Sequence, residues 1–407
     1  MEQICVLGLG YIGLPTATLA ASSGYKVRGV DIDPNVINCL SAGRAHIAEP
    51  ELQASVARVI ADGSLTVSSS PCPADVFLIA VPTPIKEDKT ADLNCVTNAA
   101  RMISGNLQSG ALVIVESTVP PGTTSNVVIP ILEESGLSAG KDFYVAYCPE
   151  RVLPGKIIIE LMNNDRVIGG LNTESAVRAA RFYRRFVRAD MYITNLITAE
   201  IVKLVENAFR DVNVAFANEI SLISQQLGAN VWEVIDLANK HPRVNILNPG
   251  PGVGGHCIAV DPWFLVESVP EATALIKAAR QLNDSMPERI ISWVESVVPP
   301  GAKIACLGAA YKANVGDIRE SPALRIIYSL KEKGYELFVV DPYVENLNGL
   351  VLVPLNEALD SADCLLLLVD HDEFKSLDID RLREKFGNGR LIDTRGIWAK
   401  GRTIRVS

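Results

Sequence analysis

Histidine is scarce in this chain of 407 residues, which contains four, and none of them lies in a His-x-x-x-His pair. The eight cysteines are also scattered, without a Cys-x-x-Cys pair or any paired spacing. Structural zinc sites use such spacings, so we expect no metal, although His241, His256 and Asp261 leave a site around Cys257 as an alternative. The cysteine pattern indicates reduced thiols rather than a disulfide framework.

Long apolar runs, a basic leader and an excess of positive charge are missing too. Runs such as Cys364–Val369 are far shorter than the roughly 20 residues of a membrane span, and no basic segment precedes the strand-like Ile4–Gly8. The formal net charge is −9, whereas a nucleic-acid surface needs a basic stripe. We therefore expect a cytoplasmic protein with neither a membrane nor a nucleic acid as partner.

The length predicts two or three domains. From residue 3 to about 195, apolar runs alternate with helical patterns, which is typical of a doubly wound parallel sheet. The predicted strands of this part are Ile4–Leu7, Lys26–Val30, Val76–Val81, Leu112–Glu116 and Tyr144–Tyr147.

A long helix is predicted over Thr198–Leu227, where apolar residues occupy more than one face before Gly228. Such a helix is expected to be buried between domains or subunits. Pro299-Pro-Gly301 marks a boundary, and Lys303–Gly308 starts a second α/β region. The prediction is an α/β protein with two Rossmann-like doubly wound parallel-sheet domains, 1–195 and 299–407, joined by a central helical region, 196–298.

A glycine loop, Gly8-Leu-Gly10-Tyr11-Ile12-Gly13, lies between a predicted strand and a helix. Its glycines suit a tight turn, the approach of a pyrophosphate and close helix packing. Asp31 ends the second strand, where a carboxylate binds the adenosine ribose and repels a 2′-phosphate. The motif predicts NAD rather than NADP.

A second glycine-rich segment, Pro249–Asp261, places Cys257 among Gly250, Gly252, Gly254 and Gly255. Glycines this dense are typical of backbone that passes close to a ligand or adopts positive φ. A thiolate there can add to an aldehyde, and the adduct can lose a second hydride to become a thioester. The two loops together predict a cofactor-dependent enzyme with a covalent cysteine step.

Several further motifs, in this order, resemble the UDP-glucose/GDP-mannose dehydrogenase family over nearly the full chain. Besides the two glycine loops they are Val81-Pro-Thr-Pro84, Glu116–Gly122, Cys148-Pro-Glu-Arg151, Lys203–Asn207 and Arg319-Glu-Ser-Pro322. The resemblance implies an NAD-dependent four-electron oxidation of a nucleotide sugar to a uronic acid.

The resemblance also implies catalytic roles. Cys257 matches the nucleophile, and Lys203 and Asn207, one helical turn apart, match the donors that stabilise an oxyanion. Asp261 would orient the lysine or a water.

Two more positions match the hydrolytic half of the reaction. Glu150 corresponds to the base that hydrolyses the thioester, and Thr118 corresponds to a hydroxyl that positions water. Thr118 has an alternative interpretation, since a threonine before Pro-Pro-Gly122 can simply shape the turn.

Binding residues follow from the same matches. Cofactor contacts are implied for Pro82, Thr83, Thr118 and Arg319, in addition to the first glycine loop and Asp31. Substrate contacts are implied for Glu150, Arg151, Lys203, Asn207, Arg210, His241, Arg243, Gly254 and Lys312. In the family the arginine at the Arg243 position reaches a neighbouring active site, which implies a homodimer. Arg210 could instead pair with Glu206 or Asp211.

The segment from His241-Pro-Arg243 to Asp261-Pro-Trp263 is similar to the branch that oxidises UDP-N-acetyl-D-mannosamine, and Asp165–Gly170 fits the acetamido-sugar branches. UDP-N-acetylglucosamine and then UDP-glucose are the alternative substrates. A two-electron alcohol dehydrogenase and a non-catalytic sensor of NAD or nucleotide sugar are alternatives of other classes. The chain departs from many relatives at Gly316, where they have an acidic residue.

Overall fold

The computed structural model describes residues 2–47, 49–153, 155–387 and 389–398. The chain divides into two compact units. The first comprises Met1–Glu206 and Trp263–Pro270, and the second comprises Asn207–Pro262 and Glu271–Ser407. The predicted division at 195/196 and 298/299 stays a prediction.

An eight-stranded sheet forms the first unit, with strand order β3-β2-β1-β4-β5-β6-β7-β8. Neighbouring strands are parallel except β6 and β7, which are antiparallel. The strands are β1 Gln3–Leu7, β2 Lys26–Val30, β3 Leu65–Ser68, β4 Val76–Ile79, β5 Leu112–Val115, β6 Tyr144–Tyr147, β7 Arg166–Gly170 and β8 Met191–Asn195.

Helices cover both faces of this sheet. Along β1, Ile4 and Val6 belong to one core and Cys5 and Leu7 to the other, as the period-2 geometry of a strand requires. The helices are α1 Gly13–Ser22, α2 Pro34–Ser41, α3 Leu52–Ala61, α4 Asn94–Ser104, α5 Ile129–Glu133, α6 Ile157–Asn163 and α7 Thr173–Tyr183, with a π-helical turn at Thr124–Val128.

The middle of the chain is helical. The long helix α8 spans Leu196–Leu227, and α9 Val231–Ala238, α10 Asp261–Ser268, a 3₁₀ turn at Pro270–Ala272 and α11 Ala274–Val297 follow. Helix α8 begins two residues before the predicted Thr198 and contributes residues to both units.

A second parallel sheet, of order β10-β9-β11-β12, lies in the second unit between two further cores. Its strands are β9 Lys303–Leu307, β10 Glu336–Val340, β11 Cys364–Leu367 and β12 Leu391–Asp393, and its helices are α12 Pro322–Glu332, α13 Leu355–Ser361, α14 Asp372–Lys375 and α15 Ile379–Phe386. The predicted fold class, with two Rossmann-like sheets and a long central helix, is confirmed. No helix among the described residues is both long and apolar enough to cross a membrane.

The two sheets have the same backbone turn after β1 and after β9. Gly8 after β1 and Gly308 after β9 both have positive φ, of 89° and 96°, and each donates its N–H to the last residue of the next strand at 2.8 Å. Asp31 and Asp341 then accept backbone N–H groups just beyond those glycines. The predicted similarity of the two α/β regions therefore extends to single hydrogen bonds.

Candidate active site

The first glycine loop has the geometry of a dinucleotide turn. A Cβ on Gly8 would lie 2.5 Å from the carbonyl oxygen of Ala80, and one on Gly13 would overlap the carbonyl oxygen of Gly8. A Cβ on Gly10 would meet nothing within 4 Å. Helix α1 has no acidic residue in its first turn and no side-chain cap, so its N-terminal N–H groups suit a phosphate.

Asp31 and the Val81–Pro84 segment lie beyond β2 and β4, the two strands that flank β1 in the same sheet. The Oδ2 of Asp31 accepts the N–H of Leu9 at 2.9 Å. Thr83 has a buried Oγ1 with no hydrogen-bond partner among the described residues. Ser117, for which the sequence predicted no role, fixes this segment because its Oγ accepts the N–H of Val81 at 2.9 Å and donates to the carbonyl oxygen of Val81 at 2.7 Å. The open space at Gly10 and the orphaned hydroxyl fit a bound dinucleotide.

Glu150 and Lys203 form a buried pair in the first unit. The Nζ of Lys203 donates to the carbonyl oxygen of Glu150 at 2.6 Å and lies 3.9 Å from Oε2 of its carboxylate. Burial raises the pKa of Glu150 to about 7, and the charge of Lys203 opposes that rise. The other oxygen, Oε1, is buried and lacks a partner within the described ranges. A carboxyl group that titrates near neutrality is suited to act as a general base.

Thr118 is partly exposed, two residues beyond the buried Glu116 at the carboxyl end of β5. The Pro-Pro-Gly turn that follows is anchored by the buried Glu200 of α8, whose carboxylate accepts the N–H groups of Gly122 and Thr124 at 2.6 and 2.9 Å. The carboxylate therefore fixes the turn that follows Thr118.

Arg151 already has partners in the first unit. Its guanidinium group pairs with both carboxylate oxygens of Glu206, at 2.6 and 3.2 Å, and donates to the carbonyl oxygen of Asp165 at 3.1 Å. In this arrangement Arg151 secures the loop after Glu150, and its implied contact with substrate stays a prediction.

Cys257 lies in the second unit, in a turn over residues 256–260 that leads into α10. Its Sγ is 3.2 Å from Nδ1 of His256, and its carbonyl oxygen accepts the N–H of Asp261 at 2.8 Å. The side chain of Asp261 accepts a hydrogen bond from Nδ2 of Asn207 at 2.5 Å. The guanidinium group of Arg210 donates to Oδ1 of the same Asn207. The structure thus connects Asn207, Asp261 and Arg210 directly.

Close packing explains the glycines before Cys257. A Cβ on Gly254 would lie 2.6 Å from the carbonyl oxygen of Glu320, and one on Gly255 (φ 78°) would lie 2.9 Å from the ring of Tyr311. The N–H of Gly255 donates to the carbonyl oxygen of Arg319 at 3.1 Å. The Arg319 guanidinium group forms a two-point ion pair with Asp317, at 2.9 and 2.6 Å. Its implied cofactor contact stays a prediction.

The remaining predicted binding residues are exposed. His241 and Arg243 lie just after α9, where the N–H of Arg243 donates to Nδ1 of His241 at 3.3 Å. Lys312 lies in the loop between β9 and α12. Gly316 is the position at which the chain departs from many relatives. A Cβ placed on it would overlap the carbonyl oxygen of Tyr343.

Arg395 is a candidate that sequence reasoning missed. It follows β12, its Nε donates to Asp370 at 2.9 Å, and it lines a small pocket with Tyr311, Pro322 and Val369. The signal available in the sequence was a single arginine directly after a strand of a parallel sheet, where ligands bind.

No three His, Cys, Asp or Glu side chains gather into a possible metal site anywhere in the described part of the chain.

Family models match the chain in three consecutive parts. Residues 2–187 match the NAD binding domain of the UDP-glucose/GDP-mannose dehydrogenase family, 197–285 its central domain and 305–400 its UDP binding domain. The chain belongs to the UDP-glucose/GDP-mannose dehydrogenase family. It is therefore an NAD-dependent UDP-sugar dehydrogenase, which confirms the predicted enzyme class and cofactor.

Individual relatives are similar over nearly their whole length. The NDP-N-acetyl-D-galactosaminuronic acid dehydrogenase of Ralstonia solanacearum is 46% identical over 415 residues, covering 98% of this chain and 97% of the relative. The UDP-N-acetyl-D-mannosamine dehydrogenase of Escherichia coli K12 is 46% identical over 418 residues, covering 97% and 99%. The solved UDP-D-ManNAc dehydrogenase of Pyrococcus horikoshii superposes with a TM-score of 0.90 at 43% identity, covering 97% and 96%.

Proposed function

We propose that this enzyme oxidises the C6 alcohol of UDP-N-acetyl-D-mannosamine to the carboxylate through a thioester on Cys257. The observation that supports the proposal is the solvent exposure of Cys257. All eight cysteines lie among the described residues, and Cys257 is the exposed one, whereas Cys5, Cys148, Cys306 and Cys364 are buried. An exposed cysteine in a glycine-built loop is suited to covalent catalysis.

Bound NAD supplies the hydride acceptor, and two equivalents are reduced per sugar. The Cys257 thiolate adds to the C6 aldehyde, forming a C–S bond while the carbonyl oxygen gains a proton. Transfer of the second hydride from that carbon to NAD, with loss of the hydroxyl proton to solvent, would leave the thioester. Water then adds to the thioester carbonyl as Glu150 takes one of its protons. The C–S bond breaks to expel the thiolate, and the carboxylic acid that forms loses its proton to solvent.

Lys203 has a defined task in this scheme. Its ammonium group is the cation beside Glu150, and a buried cation stabilises the oxyanion that develops at each addition step. Asn207, bonded to Asp261 at 2.5 Å, is the second donor.

The uridine diphosphate is assigned to the second sheet. The strand order reverses at β9, between β10 and β11, and ligands of open α/β sheets bind beyond the strand ends at such a switch point. The pocket at this point is lined by Tyr311, Val369 and Arg395. Arg395 and Lys312 are the cations suited to the diphosphate.

The choice of sugar rests on the segment from His241 to Trp263 and on the mannosamine-specific relatives. The equally identical relative from Ralstonia solanacearum supports a galacto-configured acetamido sugar as the second candidate.

A homodimer is part of the proposal. Exposed apolar side chains recur along α8, and they are Ile197, Ile201, Val205, Phe209, Phe216, Ile223 and Leu227. At about 100° per residue they fall within roughly 120° of one helix face. A contiguous exposed apolar row marks an interaction surface, and a second copy of α8 would cover it. Arg243 is exposed, as its predicted reach toward the neighbouring site requires.

The test counts NADH formed per sugar consumed with UDP-N-acetylmannosamine, UDP-N-acetylglucosamine, UDP-N-acetylgalactosamine and UDP-glucose. We expect two NADH per mannosamine sugar in the wild type and in Cys39→Ala, a matched control whose thiol donates to the carbonyl of Arg44. Carboxylate formation should be lost in Cys257→Ala. Turnover with another sugar alone would overturn the specificity, and two NADH per sugar in Cys257→Ala would overturn the thioester route.

A further inference from the structure

Part of the buried face of α8 is polar. Asn207, Asp211 and Asn218 are 2%, 0% and 0% exposed. At about 100° per residue the three lie within roughly 40° of one another on the helix surface. The buried stripe of a helix is normally apolar, so a polar row there requires a specific set of partners.

The first of these residues, Asn207, contacts one end of the segment from Gly250 to Asp261, which contains Cys257. Asn207 bonds the side chain of Asp261, whose N–H in turn donates to the carbonyl oxygen of Cys257.

The last residue of the row holds the other end of the same segment. The Oδ1 of Asn218 accepts the N–H of Gly250 at 2.9 Å, and its Nδ2 donates to Oδ1 of Asn283 at 2.9 Å. Because an N–H and an oxygen face the two atoms of the Asn218 amide, the orientation of that amide is determined. Asn207 and Asn218 are eleven residues apart, which is about 16 Å along the helix.

Asp211, in the middle of the row, is bonded to two residues of α11. The Nδ2 of Asn283 donates to both the carbonyl oxygen and Oδ1 of Asp211, at 3.0 and 2.8 Å. Arg280, only 1% exposed, pairs with Asp211 and with Asp284. Asp211 Oδ2 and Arg280 Nε are buried without a hydrogen-bond partner among the described residues, so the order of the row depends on the bonds of Asn283 and on the ion pairs of Arg280.

We propose that Asn218 is a positioning residue for the catalytic thiol: with Asn207 it fixes both ends of the segment from Gly250 to Asp261 against one face of α8. This inference rests on the proposed thioester route. Gly252 supports it, since a Cβ there would lie 3.2 Å from the carbonyl oxygen of Asn283. The segment therefore lies directly on the residue that orients Asn218.

The position of the thiol decides the fate of the aldehyde. After the first hydride has left C6, the aldehyde either forms a C–S bond with Cys257 or leaves the enzyme. A displacement of about 1 Å can slow such an addition by on the order of 100-fold. Loss of the Asn218 bonds should thus release aldehyde and lower the NADH formed per sugar.

The experiment measures NADH per sugar consumed in the full-length wild type, Asn218→Ala and Asn218→Asp, with hydroxylamine added to trap aldehyde. In Asn218→Ala we expect the ratio to fall from two toward one, with one trapped aldehyde for each missing NADH. Asn218→Asp keeps an oxygen that accepts from Gly250, so its ratio should lie between the two. This ratio does not depend on the folded fraction, so destabilisation alone leaves it unchanged.

Asn213→Ala is the control on the same helix, because the Asn213 amide donates to the carbonyl oxygen of Phe209 within one turn. It should keep a ratio of two. A ratio of two in the Asn218 variants, beside a wild type that also gives two, would overturn the positioning role. A wild type that does not give two would instead count against the proposed function.

Discussion

At the scale of single residues, the burial of Glu150 and its contact with Lys203 determine how its carboxyl group titrates. Its sequence context, Cys-Pro-Glu-Arg, identified it as a candidate base, but the rise of its pKa to about 7 depends on burial and on Lys203, which comes 53 residues later in the chain. The partner of Arg151 was equally invisible, since Glu206 comes 55 residues later in the chain. By contrast, Gly8, Gly13 and Asp31 could be predicted because local backbone geometry determines them.

The proposed role of Glu150 as the base predicts a pH dependence of turnover. Burial disfavours the charged carboxylate and raises the pKa of Glu150 to about 7, so the group can accept a proton only above that pH. We predict that the rate of thioester hydrolysis rises with pH through about 7 and levels off above it. Single-turnover measurements of carboxylate release between pH 5.5 and 9 check this.

In Glu150→Gln the hydrolysis rate should fall at least about 100-fold, a typical loss for a general base, and the limb near pH 7 should disappear. A limb that persists in this variant would assign the titration to another group.

At the scale of elements, helix α8 has an unusual arrangement, with a polar row inside and an apolar row outside. The sequence predicted its length to within two residues, because apolar periodicity and Gly228 define a helix. It could not show which apolar side chains face solvent. Strands β3, β7 and β8 were missed. The glycines that end β7, Gly169 and Gly170, weaken a strand signal, yet they are needed there because Asn195, Asn172 and Ala176 pack against them.

The cysteine loop yields a prediction at this scale. In Gly254→Ala the new methyl group would meet the carbonyl oxygen of Glu320 at 2.6 Å, so the loop must move. We expect NADH production to fall by about 100-fold or more, while NAD affinity, a property of the first unit, stays within about twofold. Steady-state kinetics and NAD titration measure both quantities.

Gly105→Ala is the matched substitution. Gly105 follows the last residue of α4 with φ of −68°, and a Cβ placed on it would lie 4.0 Å from the carbonyl oxygen of Met102. It should be neutral or slightly stabilising, since alanine lowers the entropy of the unfolded chain. If Gly254→Ala behaved like Gly105→Ala, close packing would not be the reason for the loop glycines.

At the scale of the whole molecule, the main feature is the row of exposed apolar side chains along α8. The chain's acidic net charge of −9 does not oppose the proposed anionic substrate, for which Lys203, Lys312 and Arg395 are the proposed sources of positive charge. The two sheets and the long helix were predictable from the alternation of apolar runs. The division into compact units depends on which distant segments pack together.

The apolar row predicts an oligomer. Phe216→Glu, which adds a charge to a half-exposed position of that row, should shift the protein from dimer to monomer in sedimentation velocity. Because association stabilises the folded state by mass action, the wild-type Tm should rise with protein concentration and that of the variant should not. Val351→Glu alters an apolar residue that is 78% exposed outside α8 and should remain dimeric. A monomeric wild type would overturn the dimer.

The first unit is discontinuous in the chain, since Trp263–Pro270 joins it only after 56 intervening residues of the second unit. Within it, Glu267 accepts the N–H of Ala91 at 2.9 Å, in the loop that follows Pro82 and Thr83. During synthesis from the amino terminus, the eight strands emerge before this last contribution is available. The sheet can therefore form early, but its cofactor loop acquires that hydrogen bond only after the ribosome has released the segment that contains Cys257.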